Sequence, residues 1–170
     1  MAKTLKKYSK YIKKAQGLGA KEAKIIAARS IVVSEWVRLK CQFGCSEYGI
    51  SLTCPPRSPA PEQTRKILKD YKFGMLLHFD GQVDIGRIVV KLERQIFLDG
   101  YYKALGLKAG PCMICKRCTL KFCRFSERAR PSMEACGIDV YATARAHGFP
   151  IEVLRATDCR GNYYGLVLIE

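Results

Sequence analysis

Cys112, Cys115, Cys118 and Cys123 fall within twelve residues in the order C-x2-C-x2-C-x4-C. This spacing constrains the chain more than any other feature. Four thiols packed so tightly must share a metal, pair as disulfides, or stand idle. A [4Fe–4S] cube offers four corner irons, each needing one thiolate, and a C-x2-C-x2-C loop wraps such a cube with three sulfurs on three corners. The bacterial ferredoxin run closes with C-x3-C-P; here the last gap is one residue longer and Arg124 follows Cys123. Zinc is the alternative. It asks four ligands to converge on one atom, usually from two C-x2-C knuckles held apart by a longer spacer. The overlapping knuckles of this chain favour the cube.

The surrounding charge suits an anionic group. Lys116, Arg117, Lys121, Arg124, Arg128 and Arg130 are accompanied only by Glu127. These cations and a helix beginning near Pro131 would stabilise a negative cluster and raise its potential. They equally suit a solvated basic face.

A second group, Cys41, Cys45 and Cys54, reads C-x3-C-x8-C and runs into Pro55 and Pro56. Three thiols leave one corner of a cube open to a small ligand, or filled from elsewhere. In two-cluster ferredoxins the cysteine before proline serves the more distant cluster. Cys54 would then cross to the other group and Cys123 cross back. Buried structural thiols are the plain alternative.

Composition sets the context. Nine cysteines in 170 residues is an odd count, and no apolar h-region follows the N-terminal lysines, so a reducing cytoplasmic setting is expected rather than a secreted disulfide scaffold. No run approaches the ~18 apolar residues of a membrane span. The 30 basic and 15 acidic residues leave a charge of +15. Neither G-x-G-x-x-G nor G-x4-G-K-[ST] occurs, which removes the common dinucleotide and triphosphate motifs.

The pattern predicts an α+β fold: a small, mostly antiparallel sheet with helices on one face and two cysteine-rich metal-binding loops, in a single domain over residues 1–170. Residues 4–17 form an amphipathic helix, with Leu5, Tyr8, Tyr11, Ile12 and Ala15 on one side and lysines on the other. This basic helix, over 1–19, is expected at the periphery. Residues 23–33 are rich in Ile and Val and read as one or two strands. A helix starts near Pro59, and 73–79 is a buried strand. Asp84 caps a long helix with Ile85, Ile88, Val89, Leu92 and Ile96 inward, running to about Leu105. A short helix follows Pro131, another runs from Asp139 to His147, and strands cover 151–154 and 163–169.

Two blocks carry a resemblance. One is Val37-Arg38-Leu39-Lys40-Cys41, Cys45, Tyr48-Gly49 and Cys54-Pro55-Pro56. The other is Gly110-Pro111-Cys112, Cys115, Cys118, Cys123-Arg124, Arg130-Pro131-Ser132-Met133-Glu134-Ala135 and Gly137-Ile138-Asp139. Together, over about residues 20–155, they resemble a prokaryotic family of unknown function described as predicted metal-binding proteins. The resemblance implies that Cys41, Cys45, Cys54, Cys112, Cys115, Cys118 and Cys123 are metal ligands and that the protein works in the cytoplasm. It supplies no reaction.

Other reactive residues are expected to be structural. Cys136 reads as a core thiol, while Cys159 in the last hairpin turn has no assigned role. His78 and His147 read as structural and Trp36 as a core residue. Glu93, Asp99 and Glu134 are potential acids or bases with no paired nucleophile. Eight lysines in the first 24 residues suit a solvated face or an acidic protein partner. The expected function is a protein of one or two [4Fe–4S] clusters acting in electron transfer, with an acidic redox partner. The alternative is a zinc-bearing basic module that binds nucleic acid.

Overall fold

The computed structural model describes residues 6–81, 83–156 and 160–170; Leu5 and Cys159 lie outside these. Four strands, β1 (Glu22–Ala27), β2 (Phe73–Asp80), β3 (Leu105–Leu107) and β4 (Asn162–Leu168), form an antiparallel sheet in the order β1-β2-β4-β3. Among the described residues the α-helices are α1 (Ser9–Gly17), α2 (Glu35–Gly44), α3 (Pro61–Leu68), α4 (Ile85–Leu98) and α5 (Val140–Ala146).

The central strand β2 is apolar on both sides, so both faces of the sheet must be covered. Met75, Leu77, Phe79, Val167 and Ile169 point to one face and meet Tyr8, just ahead of α1, Tyr11 and Ala15 of α1, and the inner stripe of α4. Leu76, Tyr164, Leu166 and Leu168 point to the other and meet Leu68, Met133, Ile138 and Ala144. The one-face arrangement expected from sequence is therefore corrected: helices α1 and α4 take one side, and α3, α5 and the segment around Met133 take the other. Tyr8 and Tyr11 are 0% and 1% exposed, which removes them from the lysine-rich outer surface.

The elements follow local chemistry, with four departures. Asp84 caps α4 by accepting from the Arg87 N–H at 2.9 Å, and Asp139 caps α5 by accepting from Ala142 N–H at 2.8 Å. Helix α4 stops at Leu98, not near Leu105, because Gly100 takes the left-handed conformation (φ +98°). The chain beyond it returns as β3. Residues 28–30 close into a short 3₁₀ turn, and beyond them Val33 makes only a single bridge to Ile138. Residues 151–154 form no strand, although Ile151 is buried. The helix after Pro131 shrinks to a 3₁₀ turn at Glu134–Cys136.

Candidate metal centre

The first cysteine group begins on a helix. Cys41 lies in the last turn of α2 and Cys45 is its C-cap, four residues on, so both thiols leave the same side of the helix end. Cys54 is buried in the following loop, whose turn is tied by Gly49 N–H to the Pro55 carbonyl (2.8 Å) and by Arg57 Nη1 to the Gly49 carbonyl (2.9 Å). Burial, then the charges of Cys45 and Glu134, push the Cys41 thiol above its ordinary range, and Cys54 adds to this.

The second group lies in a coil at 111–125 after β3. Cys112, Cys115, Cys118 and Cys123 all line one cavity of about 430 Å³, together with Leu52 and Thr53 from the first group's loop. Cys118 differs from Cys41. The backbone amide of Leu120, helped by those of Leu52 and Thr119 and by the Arg57 charge, lowers its thiol below the ordinary value. Among the described residues no three Cys, His, Asp or Glu side chains converge as they would on a single ion. Four thiolates on one zinc stand roughly 3.8 Å apart, from a Zn–S length of about 2.3 Å. The thiols here instead surround a volume.

Residues 131–139 bind the two groups together. Arg38 of α2 donates from Nη1 to the Ala135 carbonyl (2.6 Å) and to Ser58 Oγ (3.0 Å), and Ser58 Oγ also donates to the Ala135 carbonyl (2.6 Å). The Cys41 thiol lies 3.9 Å from the Glu134 carbonyl. On the other side Met133 N–H donates to the Lys108 carbonyl (2.9 Å), and Lys108 N–H to that of Pro131 (3.0 Å). The Lys108 ammonium then caps the carbonyls of Ala109 (3.0 Å), Gly110 (3.0 Å) and Pro111 (2.5 Å), the three residues leading into Cys112. Thr64 Oγ1 donates to the Cys136 carbonyl at 2.6 Å, and Gly137 packs directly on Pro61.

A family model described as "predicted metal-binding protein (DUF2284)" matches residues 24–169. The chain belongs to this family. The DUF2284 match reaches further towards the C-terminus than the resemblance read from the motif blocks, taking in β4. No curated protein and no solved structure matches the chain. All seven cysteines singled out in the sequence lie inside the matched region.

The remaining candidates divide. Cys136 is a core residue, 2% exposed, with its thiol pushed up to about 12 by burial. His78 is fully buried, stacks on Tyr164 (5.2 Å between ring centres) and shares a 2.7 Å hydrogen bond between Nε2 and Asn162 Oδ1. His147 Nε2 lies 2.9 Å from Ser30 Oγ. Trp36 is corrected: it is 46% exposed, because the outer face of α2 has no partner among the described residues. Glu93 is held by Arg130, and Asp99 by Lys10 and Tyr11. Lys108 escaped the sequence reading, and Arg38 entered it only within a motif block; their roles depend on carbonyls that only the folded chain brings near. No helix among the described residues is long and apolar enough to cross a membrane.

Proposed function

We propose that this DUF2284 protein holds a [4Fe–4S] cluster on Cys112, Cys115, Cys118 and Cys123, and that Cys41, Cys45 and Cys54 form a second, three-thiol metal site. The observation that carries this reading is the single cavity lined by all four cysteines of the second group. The donor set is pure thiol, which suits iron–sulfur ligation. Backbone amides already favour the thiolate of Cys118, and such amides also stabilise charge on cluster sulfurs. A cluster bound there would supply a one-electron couple at the protein surface.

The chain's own residues would do the rest. The Lys108 ammonium fixes the approach to Cys112 by gathering three carbonyls. Exposed Phe43, Met113 and Phe122 and the cations Lys40, Lys116, Arg117 and Lys121 edge the cysteine loops. That rim suits an acidic redox partner, with charge steering the encounter and apolar side chains holding it. We assign the protein to cytoplasmic electron transfer on this basis. Iron and sulfide analysis of anaerobically purified protein, with its visible spectrum, tests the reading. A broad band near ~400 nm and equal iron and sulfide support it. Colourless protein containing zinc, with salt-dependent binding to random-sequence nucleic acid, would establish the zinc-module alternative instead.

A further inference from the structure

A larger cavity, about 1180 Å³, opens beside the cysteine site. Its walls come from the start of α4, the chain after β3 and residues 128–134; Cys112, Met113 and Ile114 line both cavities. Its charged groups are not equivalent. Lys108 spends its donors on three carbonyls. Arg130 spends its own on Glu93 and on the carbonyls of Ser126 and Ala129. Arg87 and Lys91, one turn apart on α4, and Arg128 are exposed and pair with no carboxylate among the described residues. Glu134 shows the reverse. Its Oε2 is sealed from solvent and has no hydrogen-bond partner. A buried carboxyl oxygen without a donor costs free energy, so the Glu134 carboxyl, which lines this cavity, offers an acceptor to a donor that enters it.

We propose that this cavity binds a small anion that also carries a hydroxyl or amine. Its phosphate or carboxylate would meet Arg87, Lys91 and Arg128 at the rim, and its donor would meet the Glu134 carboxyl, which also lines the cavity. The bound molecule would then lie against Cys112. The volume suits a molecule well above the size of a bare ion. Binding uses only side chains of this chain and does not require the cluster, so it stands apart from the electron-transfer reading.

The test is isothermal titration of full-length, anaerobically purified protein with three probes: ribose 5-phosphate, gluconate and inorganic phosphate. Iron is assayed on the same sample, so failure of the cluster reading shows up separately. We expect saturable binding of ribose 5-phosphate or gluconate at least tenfold tighter than inorganic phosphate; the tighter of the two identifies the head group. The double variant Arg87→Ala/Lys91→Ala should weaken that probe at least tenfold, while Lys13→Ala, exposed on α1 and outside the cavity lining, leaves it unchanged. Glu134→Ala should abolish the advantage over inorganic phosphate. Should Glu134→Ala fail to fold, the exposed double variant decides alone. Equal affinity for the three probes, no saturable binding, or indifference to the double variant overturns the proposal.

Discussion

Arg130 grips Glu93 through two bonds, Nε to Oε2 at 2.6 Å and Nη2 to Oε1 at 2.5 Å, with the two side chains only 15% and 14% exposed. Glu93 Oε2 also accepts from the Gly106 N–H at 2.7 Å. One carboxylate therefore ties α4 to β3 and to the chain that leaves the second cysteine group. Removing one partner of a largely buried pair strands the other charge. Glu93→Ala should destabilise the fold by about 3 kcal/mol, read by urea denaturation. Replacing both residues by apolar ones should cost clearly less. A loss no greater than that of an exposed ion pair would show that the contact contributes little.

The two cysteine groups should respond separately to serine. Cys115→Ser should remove most iron and sulfide, because it opens the four-thiol cavity. Cys41→Ser should remove only the portion held by the three-thiol group. Metal and sulfide stoichiometry of the two variants checks this. Unchanged metal in Cys41→Ser would leave one real site.

Gly137 has a left-handed backbone (φ +75°), and a Cβ built on it would lie 2.6 Å from Pro61 Cγ. Gly137→Ala therefore meets both a backbone penalty of about 1–2 kcal/mol and overpacking of about 1–3 kcal/mol. The thermal midpoint should fall by several degrees or more. Retention of the wild-type midpoint would mean that α3 shifts away at no cost.

Acid should weaken the fold in two stages. Burial, then the Lys24 charge, holds the His147 imidazole below its ordinary value. The unfolded chain thus binds this proton more readily, and the stability His147 contributes is complete above about pH 6.5 and is lost as pH falls below it. The Lys7 ammonium, with the Tyr8 hydroxyl, holds the Glu170 carboxyl below its ordinary value. That contribution is present above about pH 4.3 and is lost on further acidification. Chemical denaturation across pH should show His147→Gln flattening the first stage and Glu170→Gln the second. A pH profile identical in the His147 variant would remove imidazole from the first stage.

The sequence disclosed elements whose signal is local. The stripe Ile85, Ile88, Val89, Leu92 and Ile96 with Asp84 before it reads directly as α4, and all five are buried. Residues 28–33 and 151–154 misled for one reason: β-branched composition offers a strand but does not supply a partner, and here 28–30 close into a 3₁₀ turn, Val33 bridges only Ile138, and 151–154 join no strand. Helix α2 was hidden because its outer residues Trp36, Leu39 and Phe43 stay exposed, so its apolar pattern does not mark a buried face. Within the site, the four-cysteine spacing was plain. That Leu52 and Thr53 complete the same cavity was not, because their sequence distance from Cys118 carries no trace of it.

Residues 131–139 are bonded on one side to Arg38 and Ser58, which flank the first cysteine group, and on the other to Lys108, which leads into the second. Neither loop can swing without tugging on this short peptide. Occupying one pocket should therefore slow amide exchange around its neighbour, and emptying it should loosen both, so the pair behave as a single mechanical unit.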